Sequence, residues 1–201
     1  MTPPGTFERV YAAIRKRLRE GAYRPGDRLE PAALSDELNA SVTPVRDALH
    51  RLTGERLVEA PRHEGFRAPM MTEPTLRHLY AWHLDLLLLA VAKHRLERAA
   101  REIREDATGM SEVEVQNGLF MALAISGGNP EHALALRALT DRLEPVQRFE
   151  QLLLDVAERE SMEIFRAIRA NDRSALRRSL VNYHRRRQRI VPELLEQLMQ
   201  A

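Results

Sequence analysis

Hydroxyl, guanidinium and imidazole side chains form two clusters in the first seventy residues, and both could contact nucleic acid. The first cluster lies in Ser41-Val42-Thr43-Pro44-Val45-Arg46-Asp47-Ala48-Leu49 and is followed by Arg51. The second cluster is Arg62-His63-Glu64-Gly65. Arginine presents a planar fork of donors that matches phosphates and base edges, while serine and threonine hydroxyls both donate and accept hydrogen bonds. These residue types favour binding to nucleic acid over covalent chemistry.

The charge balance gives this interpretation modest support. The basic residues are almost all arginine, since Lys16 and Lys93 are the only lysines. Residues 1–70 hold twelve basic and ten acidic side chains, and the remaining residues hold equal numbers. The small positive excess therefore lies at the amino end, next to the two clusters.

Other classes of function are disfavoured by what the sequence lacks. The 201 residues contain no cysteine, which excludes disulfides, thiolate zinc sites and cysteine nucleophiles. Glu112, Glu114, His132 and His184 could serve an enzyme, but they form no recognisable acid–base pair, and no phosphate-binding glycine loop or nucleophile elbow accompanies them. We expect a protein that is not an enzyme and that holds no cofactor.

The elements that must position the two clusters follow from periodicity and turn chemistry. A helix is predicted over 6–21, a tight turn over 24–27, and a short helix from Pro31 to near Asn39. Thr43 is the predicted N-cap of a third helix, with Pro44 in its first turn. Two short strands, 57–60 and 66–68, predict a β-hairpin around the second cluster. This order is the outline of a winged helix-turn-helix.

Beyond residue 70 the pattern is helical throughout. Thr72 is predicted to cap a long helix from Thr75, and further helices are predicted over 113–125, 131–143, 146–171 and 172–190, with Pro192 opening a short tail helix. We predict a mainly α fold: a winged helix-turn-helix over 1–70, a linker over 71–76 and an all-helical bundle over 77–201. An arginine-rich helix face is predicted to be solvated and paired with acids such as Glu158 and Glu160, or to form a dimer contact; its members are Arg177, Arg178, Arg185, Arg186, Arg187 and Arg189.

No segment of the sequence suggests a membrane or an export route. The longest apolar run, 86–92, is far shorter than the about 20 residues that span a bilayer. The amino terminus lacks the basic, apolar and small-residue regions of a secretory signal. We therefore expect a cytoplasmic protein without a membrane partner.

Two stretches of the chain resemble known families. Residues 10–68 resemble the DNA-binding domain of GntR-type bacterial transcription regulators, through Tyr23-Arg24-Pro25-Gly26-Asp27-Arg28-Leu29, the string from Ser41 to Leu52 and the segment Arg62-His63-Glu64-Gly65. The second half resembles the all-helical FCD effector domain of the FadR subfamily, through the spacing of Phe120 and Gly127-Gly128-Asn129-Pro130 and of Ile164-x-x-Ala167-Ile168-x-x-x-Asp172.

The first resemblance implies a homodimer that binds a palindromic operator in double-stranded DNA. The first turn of the third helix would then enter the major groove and the hairpin would reach a minor groove or phosphates. Val42 departs from the arginine common in the family, and a contact of its methyl groups with thymine is one substitute. Either the operator differs from the family's usual palindrome or the affinity is reduced. The expected DNA-binding residues are Ser41, Val42, Thr43, Arg46, Arg51, Arg62, His63 and Gly65.

The second resemblance implies an effector pocket that commonly holds a divalent metal. At the four positions of the family's metal ligands this chain has Asn117, Met121, Ser161 and Tyr183, none of which is a good ligand. His184 lies one residue further along, which on a helix turns it about 100° away from the pocket. We therefore predict no metal at this site. The expected effector-binding residues are His83, Asn117, Met121, Ser161, Tyr183 and His184, and a filled core in which these groups bond to one another is the other interpretation.

Together these features predict a ligand-responsive transcription regulator, most readily a repressor. Its effector would be a small metabolite such as a carboxylic acid. The alternative is a constitutive DNA-binding dimer whose helical domain has lost its ligand and its metal site.

Overall fold

The computed structural model describes residues 5–93, 96–103 and 109–200, and the chain divides into two compact units. The amino-terminal unit is Met1–Met71 with Gln197–Ala201, and the helical unit is Thr72–Glu196. The predicted fold class is confirmed, because a helix-turn-helix precedes an all-helical region. Among the described residues, no helix is both long and apolar enough to cross a membrane.

Three helices form the amino-terminal unit: α1 (Thr6–Arg19), α2 (Pro31–Glu37) and α3 (Val42–Gly54). The apolar stripe of α1 is buried against α3, and Asn39 takes the left-handed conformation (φ 47°) that ends α2, as its residue type predicted. The core of the unit consists of Val10, Ile14, Leu18, Leu29, Leu34, Leu38, Val45, Ala48, Leu49, Leu52, Leu57, Val58 and Phe66.

The predicted hairpin is shorter than expected. Glu59 and Arg67 exchange both backbone hydrogen bonds at 2.9 Å, and Arg28 forms a second isolated bridge with Arg67. No longer ladder forms in the described residues of this unit, because Pro61 has no N–H to donate and His63 turns the chain with φ 63°. The segment 57–68, which we call the wing, nevertheless has an exposed tip that consists of Arg62, His63, Glu64 and Gly65.

The helical unit is built from long helices with clear caps. Ser111 and Glu114 form a reciprocal capping box, Asn129 precedes Pro130 at another helix start, and the Asp172 side chain accepts from the Ala175 amide. The helices that begin in this unit are α4 (Glu73–Lys93), α5 (Leu96–Glu102), α6 (Glu112–Ser126), α7 (Pro130–Leu153), α8 (Ala157–Arg169), α9 (Arg173–Arg189) and α10 (Val191–Gln200).

The predicted break between residues 143 and 146 is wrong, because α7 continues through Pro145. Proline deprives the carbonyl four residues earlier of its helical partner. However, the buried positions Leu139, Leu143, Val146 and Glu150 form one stripe on both sides of it. Packing of this stripe offsets the lost hydrogen bond, and the chain breaks after Leu153 instead.

Candidate nucleic-acid interface and helical interior

The first turn of α3 presents the predicted contact residues to solvent. The N-cap is Ser41, with extended backbone (φ −75°, ψ 161°), so the prediction of Thr43 as the cap is wrong by two residues. Pro44 is still tolerated, because the first four N–H groups of a helix have no partner within it. Ser41, Val42 and Thr43 are all exposed, and the free amides of this turn suit an acceptor such as phosphate.

Arg46 extends this exposed surface by one turn of α3. The opposite face is buried through Val45, Ala48 and Leu49, each 0% exposed. Arg46 makes no hydrogen bond or ion pair within the part of the chain that the structure describes. Its guanidinium is therefore available for a base edge or a phosphate.

Arg51 has a different environment from the other predicted contact residues. Its Nε lies 3.3 Å from Glu55 Oε1, and its guanidinium carbon lies 4.2 Å from the centre of the Tyr11 ring on α1. Tyr11 in turn donates its hydroxyl to Glu55 at 2.8 Å. The structure thus places Arg51 in an intramolecular cluster against α1.

The wing residues lie at the tip of the turn after Pro61. Arg62, His63 and Gly65 are exposed, and His63 and Gly65 both have positive φ, 63° and 77°. At the base of the wing, Arg67 pairs with Glu59 at 3.0 Å and with Glu64 at 3.2 Å. The tip can therefore contact a partner while its base is held within the unit.

Two contacts that position the interface have no signal in the sequence pattern. Arg9 of α1 donates from Nη1 to the Leu38 carbonyl at 2.7 Å and from Nη2 to the Asn39 carbonyl at 3.2 Å, which fixes the turn before α3. His50, on the exposed face of α3, contacts the Phe66 ring edge-on with centres 4.9 Å apart. This contact joins α3 to the wing.

Two of the predicted effector residues are hydrogen-bonded to each other in the helical unit. His83 Nδ1 lies 2.9 Å from His184 Nε2, and His184 Nδ1 lies 2.8 Å from the Leu180 carbonyl. A carbonyl only accepts, so His184 carries its proton on Nδ1 and accepts at Nε2 from His83. Burial lowers the pKa of His184 to about 3, and burial together with His184 and Arg187 lowers the pKa of His83 well below its usual range.

His184 points to a different helix from Tyr183, and both side chains are buried. Tyr183 is 1% exposed and His184 is 2% exposed, although they are consecutive. Tyr183 donates to Gln116 Oε1 on α6 at 3.0 Å, whereas His184 meets His83 on α4. Because α9 packs against several helices, a wide arc of its surface is buried.

The other predicted effector residues differ in how well they are bonded. Asn117 and Gln147 exchange amide hydrogen bonds at 2.9 and 3.1 Å. Ser161 Oγ and Gln116 Nε2 are buried and have no hydrogen-bond partner among the described residues. Met121 is half-buried.

The predicted solvated arginine face is wrong at Arg187, which is 1% exposed. Its Nε lies 2.6 Å from Glu150 Oε2 and its Nη1 lies 2.7 Å from Glu160 Oε2. The predicted pairing with Glu160 is confirmed, and Arg186 also pairs with that carboxylate. Burial would lower the pKa of Arg187, but Tyr183, Glu150 and Glu160 raise it, so its charge is permanent.

The donor set does not fit a divalent metal at the positions that the resemblance implies. Asn117 is bonded to Gln147, and burial raises the pKa of Tyr183 well above its usual range, so no phenolate forms. Met121 and Ser161 offer a thioether and a hydroxyl. Within residues 5–93, 96–103 and 109–200, no group of three or more His, Cys, Asp or Glu side chains is arranged to hold a metal ion.

The known proteins that this chain resembles in sequence include two transcriptional regulators. The chain is 24% identical over 153 residues to the HTH-type transcriptional regulator YdhC of Bacillus subtilis (strain 168), covering 76% of this chain and 61% of YdhC. It is 40% identical over 58 residues to the Nta operon transcriptional regulator of Aminobacter aminovorans, covering 29% of this chain and 28% of that protein. The chain thus spans less than two thirds of the length of these relatives.

The fold also resembles that of a solved structure, E. coli McbR/YncC. The TM-score is 0.72 at 20% identity, and the alignment covers 94% of this chain and 98% of that chain. This likeness includes both the helix-turn-helix and the helical region. Residues 6–67 match the family described as bacterial regulatory proteins, gntR family. The segment that carries α1 to α3 and the wing therefore matches the helix-turn-helix domain of the gntR family.

Proposed function

We propose that this protein is a transcription regulator that binds DNA through the first turn of α3 and the wing. The observation that carries the proposal is Arg46, which is exposed on α3 and unpaired within the described residues, beside exposed Ser41, Val42 and Thr43. A helix whose amino-terminal turn enters the major groove presents these positions to base edges. Arg62, His63 and Gly65 would reach a minor groove or phosphates from the wing.

A homodimer on a palindromic operator is the assembly we propose. A single α3 can contact only a few base pairs, so two copies related by a two-fold axis are needed for a specific site. The half-sites would then be centred about one helical turn, about 34 Å, apart or a multiple of it. Repression is the simplest outcome for a dimer bound near a promoter.

Modulation by a small metabolite, such as a carboxylic acid, is the second part of the proposal. Its support is two buried polar atoms of the helical unit, Ser161 Oγ and Gln116 Nε2, for which the described residues supply no hydrogen-bond partner. Both are hydrogen-bond donors, and buried donors in native proteins are nearly always satisfied. An effector with acceptor oxygens would satisfy them, and the same Gln116 side chain accepts a hydrogen bond from Tyr183 through Oε1.

A constitutive DNA-binding dimer is the second candidate. It is favoured by the hydrogen bonds that several predicted effector residues make to each other or to neighbouring side chains, such as Asn117 to Gln147 and His83 to His184. In this case the helical unit would only support dimerisation.

The experiment that tests the proposal is selection of genomic DNA fragments by the purified full chain, followed by a measurement of its oligomeric state on the recovered site. A short palindrome bound by two copies supports the regulator, and only sequence-blind, salt-sensitive binding contradicts it. The variant Arg46→Ala is the control and should lose the selected site. A thermal-shift screen with small organic acids then separates the two candidates, since only the ligand-responsive protein gains stability.

A further inference from the structure

The buried guanidinium of Arg187 joins three helices of the helical unit, α7, α8 and α9. Arg187 on α9 binds Glu150 on α7 and Glu160 on α8. The carboxylate of Glu150 also accepts from Tyr80 on α4 at 2.5 Å, and Tyr183 connects the cluster to α6 through Gln116. Both carboxylates are 3% exposed.

We infer that Arg187 is the resident cation of this unit, a covalently attached guanidinium that neutralises Glu150 and Glu160 in place of a bound metal ion. Two carboxylates this deeply buried need positive charge beside them, because an uncompensated buried charge is strongly destabilising. Arg187 supplies that charge permanently. The unit is therefore independent of divalent metal, and the site around Glu150 and Glu160 is selective for a planar guanidinium.

The geometry explains why a guanidinium suits this place better than another cation. Nε donates to Glu150 and Nη1 donates to Glu160, so two edges of one planar group serve two helices. Its carbon lies 3.3 Å from the centre of the Tyr183 ring, and Nη1 also donates to the Tyr183 carbonyl at 3.2 Å. A lysine ammonium is a point charge without a fork or a flat face and cannot reproduce this set of contacts.

The charges around the site are nearly balanced by the chain itself. The partly exposed Arg186 binds the second oxygen of Glu160, so two arginines face two carboxylates. Removing the side chain of Arg187 leaves an anionic cavity shaped for a flat cation. Free guanidinium or methylguanidinium is the chemical class that this cavity should accept.

The test compares Arg187→Ala with Arg185→Ala, an exposed arginine on the same helix. Arg187→Ala should lower the melting temperature of the full chain by about 10 °C, since losing one partner of a buried pair is costly. Arg185→Ala should keep the melting temperature within about 2 °C of the wild-type value, as surface substitutions usually do. Low-millimolar guanidinium or methylguanidinium should restore much of the loss, and sodium chloride at equal concentration should not. Arg187→Lys should remain destabilised.

Two further measurements test whether Arg187 acts through its charge and whether the chain needs a metal ion. If Arg187→Ala does not fold, the triple variant Arg187→Met, Glu150→Gln and Glu160→Gln should fold, because it removes the buried charges together. If the triple variant does not fold either, the charge argument is contradicted. For the wild-type chain, EDTA should leave the melting temperature unchanged and elemental analysis should find no stoichiometric divalent metal. One equivalent of bound metal, a loss of stability in EDTA, or the absence of guanidinium rescue in a folded Arg187→Ala would overturn the inference.

Discussion

Arg46 and Arg51 lie on the same helix, α3, but five residues apart they face about 140° away from each other. Arg46 is exposed beside Ser41, Val42 and Thr43, whereas the guanidinium of Arg51 lies 4.2 Å from the centre of the Tyr11 ring and contacts Glu55. Two residues of the same type therefore have different environments: one is exposed and available to a partner, and the other holds α3 against α1.

This difference predicts that the two alanine variants lose different properties, operator binding in one case and stability in the other. Arg46→Ala should weaken operator binding by about 1 to 3 kcal/mol, as expected for a lost base contact, with unchanged stability. Arg51→Ala should lower the free energy of unfolding by about 1 kcal/mol, through the lost cation–π and ion-pair contacts. Titration of labelled operator and urea unfolding measure the two effects.

The contradicting result is an exchange of the two phenotypes. If Arg51→Ala abolished sequence-specific binding without changing stability, Arg51 would have to leave Tyr11 on binding DNA. If Arg46→Ala bound the operator normally, Arg46 would not be part of the interface.

The exposed side chain of Val42 predicts a preference for thymine. It is 38% exposed as the first residue of α3 and does not belong to the hydrophobic core of the unit. Contact between its methyl groups and the thymine C5-methyl would explain this residue. Val42→Ala should relax the preference at one base position in each half-site, measured by selection from randomised operators, and should leave the others unchanged.

The helices and turns that position the candidate interface could be predicted from the sequence because local rules determine them. Proline and glycine mark the turn before Asp27, Pro31 and Pro44 mark helix starts, and the apolar spacing from Val45 to Leu52 leaves the opposite face for a partner. The error of two residues at the cap arose because Ser41 and Thr43 are both good caps, and only the observed backbone of Ser41 distinguishes them.

The helical interior could not be predicted in the same way because its polar contacts join residues distant in the sequence. Arg187 lies in an arginine-rich stretch whose composition indicates a solvated face, and only the packing of α7 and α8 brings Glu150 and Glu160 to it. The continuity of α7 through Pro145 is similar, since tertiary packing there overrides a strong local preference.

The backbone conformations of Gly65 in the wing and Gly54 at the end of α3 predict opposite effects of alanine substitution on stability. Gly65 and Gly54 both have open space where a Cβ would be, but only Gly65 has a positive φ, of 77°. Gly65→Ala should therefore destabilise the protein by about 1 to 2 kcal/mol through backbone strain. Gly54→Ala, at the end of α3, should stabilise it by up to about 1 kcal/mol through helix propensity. Urea unfolding measures both, and equal signs would contradict the assigned backbone of the wing.

The buried histidine pair predicts a loss of stability in mild acid. Because burial lowers the pKa of His184 from 6.5 to about 3, the unfolded chain binds a proton below pH 6.5 that the folded chain does not. Stability is therefore greatest above pH 6.5 and falls as the pH decreases toward 3, by up to about 1.4 kcal/mol per pH unit for this histidine. His83, whose pKa is also lowered by burial and by its neighbours, adds to the slope.

Urea unfolding between pH 7.5 and about pH 5 measures this slope, in a window above the usual pKa range of unfolded carboxyl groups. The variant His184→Gln should show a shallower slope than the wild-type chain, because one of the two titrating groups is gone. It should also be less stable at pH 7.5, since the hydrogen bond from His83 Nδ1 to His184 Nε2 is disturbed. A wild-type stability that stays constant from pH 6.5 to 5 would mean that the two imidazoles take up protons in the folded protein, and the hydrogen-bonded chain from His83 through His184 to the Leu180 carbonyl could not then be intact.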